Sequence, residues 1–150
     1  MKEINLLLFL LAIVVGFSLA SQAGVNAQLR TALSSPIQAA FLSFLMGTVV
    51  LGIIVLVQGG PWFAHDKALD LPWWAWLGGV LGAFNIAVSI YLAPKLGALA
   101  LAISLVCGQV IAALFYDQHG WLGYPKLEIT PSRIIGALLV VLGVIMVSKK

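Results

Sequence analysis

Apolar residues along this chain come in long runs separated by short polar joints. They show neither the alternation of a strand nor the one-sided stripe of a soluble helix. A helix needs roughly 20 apolar residues to cross a bilayer, and five runs are long enough. They predict helices over about 4–27, 36–57, 72–93, 96–116 and 131–148 of a single transmembrane domain. Proline punctuates the pattern where a helix tolerates it, at the first turn, whose N–H groups lack intrahelical partners anyway. Ser35-Pro36 and Thr130-Pro131 read as an N-cap followed by proline at the first helical position, Pro72 opens the third helix, and Pro94 separates the third from the fourth. The expected fold class is an all-α integral membrane protein with five transmembrane helices.

Composition agrees with the pattern. Hydrophobic types make up 62% of the 150 residues, charged types 9%, and mean hydropathy is +1.10; a water-soluble domain carries about a quarter of its residues as charges. A soluble enzyme, a disordered tail and a nucleic-acid binder are therefore excluded. The net charge of +3 is too small for a surface that tracks phosphates. Cys107 is the sole cysteine and lies in an apolar run, so no disulfide framework or Cys/His metal pattern exists. The start of the first run, with Lys2 and Phe17-Ser18-Leu19-Ala20, also has the outline of a secretory signal. Glu3 cancels the charge expected of such a leader, so this segment is read as a retained helix.

With five crossings the two termini fall on opposite faces. The first face holds the N-terminus, residues 59–71 and residues 117–130; the second holds short connections expected around Arg30 and Lys95, and the C-terminus. Lys2, Lys67, Lys126 and Arg133 lie towards the first face, and Arg30, Lys95, Lys149 and Lys150 towards the second. Positive residues select the cytoplasmic side, so an even division predicts insertion in both orientations. All the acids (Glu3, Asp66, Asp70, Asp117, Glu128), all the tryptophans and both histidines fall on the first face. The tryptophans read first as an interfacial belt, and His65 and His119 as solvated loop residues.

Amide and hydroxyl side chains within the spans are the candidate chemistry, because a polar group in hydrocarbon either glues helices together or lines a solute path. Ser18, Gln22 and Asn26 recur every four residues, and Arg30 continues the row. Gly78, Gly82, Asn85 and Ser89 share a face of the third helix, and Gln109 shares one with Ala98, Ala102, Ala112 and Tyr116 on the fourth. The fifth helix has only Gly136 and Gly143 among its aliphatics, as a packing helix or a lipid-facing one would. The expected substrate-binding set is Gln22, Asn26, Asn85, Ser89, Gln109, Tyr116 and Asp117, converging on a polar cavity. Amides suit a small neutral or zwitterionic solute, or a weakly held cation near Tyr91 or Tyr116. No cofactor or metal is expected. No GxSxG, HExxH or pair of buried carboxylates is present, which points away from an enzyme.

Several short patterns run in order along nearly the whole chain: Gln22-x-x-x-Asn26-x-x-Leu29, Ser35-Pro36 leading to Ser43-Phe44-x-x-Gly47, and Trp76-x-Gly78-Gly79-x-x-Gly82. After them come Ala93-Pro94-Lys95-x-Gly97, Gly108-Gln109, Asp117-x-x-Gly120 and Arg133-x-x-Gly136. Together they resemble the drug/metabolite transporter superfamily in its half-size, five-helix YdcZ-like branch. The resemblance implies a small-molecule transporter of the inner membrane and half of a ten-helix inverted-repeat architecture. Smaller four-helix exporters of that superfamily carry a coupling glutamate in the middle of the first helix. This chain has only Glu3 at that helix's end, which leaves Asp117 as the acid near a span.

Depth follows from the helical rise of about 1.5 Å per residue, which puts Asn85 roughly 20 Å from the first face and Gln109 roughly 20 Å from the second. In an antiparallel homodimer the faces exchange, and Asn85 of one protomer meets the depth of Gln109 of its partner. The expectation is alternating access by such a dimer, with the bilayer and a small polar or zwitterionic solute as its other partners. The alternative is a non-transporting scaffold or accessory subunit that uses its Gly and Ala stripes for packing alone.

Overall fold

The computed structural model of the protein describes residues 6–59 and 73–148. Among these residues there are five α-helices and no strand: α1 (Leu6–Leu33), α2 (Pro36–Gln58), α3 (Gly78–Leu96), α4 (Ala98–His119) and α5 (Pro131–Ser148). Each is long and apolar enough to cross a membrane. A helix meets that demand because, away from its two ends, it pairs its backbone N–H and C=O groups internally, where lipid offers no partners. The expected opening of the third helix at Pro72, and the joint with Trp62 and His65, lie outside the described residues.

The helix ends show where the sequence pattern marks a boundary and where it does not. At Ser35 the backbone is extended and the side chain accepts from the Gln38 N–H at 3.3 Å, with Pro36 in the first turn. This is the cap that Ser-Pro predicts. At Thr130 only the carbonyl accepts from the new helix, at Arg133 and Ile134, while the hydroxyl pairs with that of Ser132. α1 runs on to Leu33, so Arg30 sits in its last turn and the connection is at Ser34 and Ser35. Gln28, Leu29, Arg30, Ala32 and Leu33 are good helix formers, and polarity alone does not end a helix. The break comes at Ser34, with φ of 54°. α3 is preceded by a tighter 3-10 turn, Trp73–Leu77, and continues through Pro94 to Leu96. The stop is Gly97, whose φ of 77° suits glycine alone among common residues.

The chain forms two compact units, one ending at Pro94 and the other beginning at Lys95. In the first, α1 packs on α2, and Ala39, Ala40 and Ile90 form a buried cluster against Leu29, Leu33, Ile86 and Ala87. The paired alanines let helices approach closely, which is how helices associate in lipid. In the second unit α4 packs on α5.

On α5 the two glycines have different surroundings. A Cβ at Gly143 would lie 2.9 Å from Ile103 Cδ1, whereas one at Gly136 would meet nothing within 4 Å. Gly143 is thus a packing position and Gly136 is open. Gly143→Leu is expected to cost about 1–3 kcal/mol through overpacking. Gly136→Leu is expected to leave the thermal unfolding midpoint of the detergent-solubilised protein near that of wild type, so the two melts check the assignment.

Candidate functional site

The polar row on α1 is used along its length in different ways. Ser18 is exposed, Gln22 is half-buried, and Asn26 is 5% exposed, its Nδ2 donating to the Ser43 hydroxyl of α2 at 3.2 Å. One turn on, Arg30 Nη1 donates to the carbonyls of Ile90 and Tyr91, both at 3.4 Å. Pro94 explains why these carbonyls attract a cation. Proline has no N–H, so the Ile90 carbonyl loses the donor that residue 94 would normally supply, and the guanidinium takes that place. It also lies over the Tyr91 ring at 5.6 Å. The face of Tyr91 thus already carries a cationic group of the protein itself.

On α3, Ser89 is 7% exposed but Asn85 is exposed, although the two share a stripe. The packed face runs through Ile86 and Ile90. Ile86 is one residue, hence about 100°, round the helix from Asn85. Periodicity shows that the polar residues align, not how far their stripe is turned from the packed face.

In the second unit Gln109, Tyr116 and Asp117 come together. With Ala112, Ala113 and Tyr124 they line a cavity of about 390 Å³, within the range of small-molecule sites. The five lining residues on α4 are set by helical spacing, and Tyr124 is brought by the loop that follows. Left-handed residues Gly120, Leu122 and Gly123 turn that loop. At Gly120 a Cβ would crowd Lys126 at 3.3 Å. The loop is strapped to the end of α4: Leu127 N–H donates to the Asp117 carbonyl at 2.8 Å and Ile129 N–H to Gln118 Oε1 at 3.2 Å. The rings of Tyr116 and Tyr124 lie within 2° of parallel, with centroids 6.3 Å apart.

Asp117 forms an ion pair with Arg133 of α5, Nη2 to Oδ2 at 2.5 Å, and the two side chains are 18% and 32% exposed respectively. Asp117 occupies the last turn of α4 and Arg133 the first turn of α5. A helix carries partial negative charge at its C-terminus and partial positive charge at its N-terminus. Each charge thus sits at the helix end that repels it, and each is compensated by the other. That placement works against stability and keeps a carboxylate on the cavity wall.

Beside the cavity, Phe115, His119 and Trp121 form an aromatic cluster with centroids 4.5 to 5.5 Å apart, and His119 Nδ1 pairs with the Phe115 carbonyl at 2.9 Å. His119 therefore belongs to the end of α4 and not to a loop. Trp73, Trp74, Trp76 and Trp121 are exposed, as residues of an interfacial belt are. No group of His, Cys, Asp and Glu suited to a metal occurs among the described residues.

Sequence spacing did not single out Tyr124 or Arg133 as site residues. The signal for Arg133 was available in principle, since an acid ending one helix and a base starting the next invite pairing. Tyr124 depends on loop geometry, which hydrophobic periodicity does not encode.

This geometry can be set beside known proteins. Residues 7–146 match the family described as "Putative inner membrane exporter, YdcZ". The chain belongs to the YdcZ family. It is 28% identical to the inner membrane protein YdcZ of Escherichia coli (strain K12) over 150 residues, which cover 100% of this chain and 99% of that protein. No solved structure matches it. This YdcZ-family chain is a multi-pass protein of the inner membrane.

Proposed function

We propose that this YdcZ-family protein exports a small polar or zwitterionic solute across the inner membrane as an antiparallel homodimer working by alternating access, and is not an enzyme. The observation that carries the reading is the α4 cavity: Gln109, Tyr116 and Asp117 at one small-molecule-sized opening in a chain of an exporter family. The carboxylate is held there at the wrong end of its helix, an arrangement that function explains better than stability does.

Exposure supports a second protomer. Asn85 and Gln109 are both exposed on their own units, and an amide facing hydrocarbon is costly. In an antiparallel pair they reach a common depth, and each protomer covers the other's amide. Gln22, Asn26 and Ser89 extend the polar path on the first unit. The even split of cations permits both insertions that such a dimer requires. The dimer then has the symmetry of a ten-helix inverted repeat, and one protomer rocking against the other opens its sites alternately.

Cysteines at Asn85 and Gln109 in a Cys107→Ala background test the arrangement. The expected result is an Asn85-to-Gln109 crosslink between protomers in membranes. Efficient 85-to-85 and 109-to-109 crosslinks without the mixed product would contradict it.

A further inference from the structure

We propose that the α4 cavity selects an uncharged, flat ring compound carrying a hydrogen-bond donor; the proposal rests on reading this cavity as a solute site. Three features of the cavity lead there. Shape is the first: Tyr116 and Tyr124 both line it with ring planes within 2° of parallel, while Ala112 and Ala113 add little bulk. Aromatic faces of this kind favour a flat partner with a π system of its own.

Charge is the second feature. Asp117 lines the cavity, but Arg133 already contacts it. An anion would face the carboxylate at close range. A cation would either lie beside a carboxylate already neutralised or have to displace Arg133 from it, and the low dielectric of a membrane raises the cost of bringing in either charge. An uncharged solute meets neither penalty.

Hydrogen bonding is the third. Arg133 Nη2 takes Asp117 Oδ2, and an ionised carboxylate accepts at both oxygens, so Oδ1 can receive a ring N–H or O–H. Gln109, two helical turns earlier on the same face, offers both a donor and an acceptor for the far edge of the ring. Tyr124 arrives with the strapped loop and adds a second ring to the cavity wall, which makes it a specificity-determining residue in its own right.

The selectivity should follow Arg133. Where its charge is removed, Asp117 becomes an uncompensated carboxylate, and the same flat cavity then favours a flat cation.

Four probes separate these possibilities: indole (neutral, one N–H), 1-methylindole (no donor), 1-methylquinolinium (flat cation) and 1-naphthoate (flat anion). Binding to the purified full chain in nanodiscs is read by ligand-observed saturation-transfer NMR, with signal from empty nanodiscs subtracted. Loss of the N–H leaves an acceptor unpaired and is expected to weaken binding about ten-fold. Indole should therefore bind more tightly than the other three probes. Tyr124→Leu should weaken it to a similar degree without touching the ion pair, and Arg133→Gln should reverse the order of indole and 1-methylquinolinium. The proposal is overturned if wild type prefers a charged probe, if 1-methylindole equals indole, if no probe binds, or if Arg133→Gln, still melting cooperatively, keeps the original order. Flux of some other solute with no indole binding would sink this proposal and leave the transport reading standing. Indole binding lost in Tyr124→Leu, with no flux of any solute, would do the reverse.

Discussion

Replacing Arg30 by methionine is expected to destabilise the protein by about 1–3 kcal/mol, the cost of leaving a buried acceptor unpaired. Methionine keeps much of the apolar stem and removes the donors. Ile90 is 0% exposed, so its carbonyl has little access to a substitute partner once Arg30 Nη1 is gone. The cause of that vulnerability is Pro94, which cannot donate to the Ile90 carbonyl across the last turn of α3. Pro94→Ala should restore the missing donor. In that background Arg30→Met should cost less, with a coupling energy of about 1 kcal/mol or more between the two positions. Thermal unfolding of the four proteins of this cycle in detergent checks it. Equal costs of Arg30→Met in both backgrounds would show that the guanidinium does not stand in for the missing N–H.

Exchanging the charges of the α4–α5 ion pair should separate stability from function. Asp117→Arg combined with Arg133→Asp keeps a pair of opposite charges but moves each to the helix end that attracts it. Each such placement is worth about 0.3–1 kcal/mol at a surface site. The doubly exchanged protein is therefore expected to melt no lower than wild type. Either single change, which sets two like charges against one another, should melt lower than wild type. Transport should be lost in the double exchange, because the cavity then presents a cation where it had an acceptor. A double exchange that melts below both single variants would show that the pair is held by packing and not by the electrostatics of the helix ends.

Much of the fold was legible because a bilayer demands long apolar helices and because proline and glycine mark their ends. Ser35-Pro36 could be read as a cap from its chemistry alone, and the structure has that cap. Arg30 could not be placed, since the cues that end a helix in water are weak against a run of good helix formers, and its partners lie 60 residues away on α3. Pro94 looked like a divider but is tolerated inside the last turn of α3 because a side chain from α1 replaces its lost bond. For the site, helical spacing placed Gln109 and Tyr116 on one face, and the structure brings Asp117 to the same cavity. Asn85 and Ser89 share a stripe by spacing, yet Ser89 is buried at its edge and Asn85 is exposed, a difference that periodicity alone does not encode. Tyr124 and Arg133 join the site through a loop and the start of a second helix, contacts that no one-dimensional period records.

Flux is the most direct test of the central claim. The protein is reconstituted in liposomes loaded with a mixture of neutral, zwitterionic and cationic metabolites, with and without a pH gradient, and efflux is followed by mass spectrometry. The expected result is saturable efflux of at least one solute through wild type, lost in the Asp117→Arg, Arg133→Asp double exchange. Efflux of every solute at the rate of protein-free liposomes, from vesicles in which the protein is inserted and folded, would contradict it.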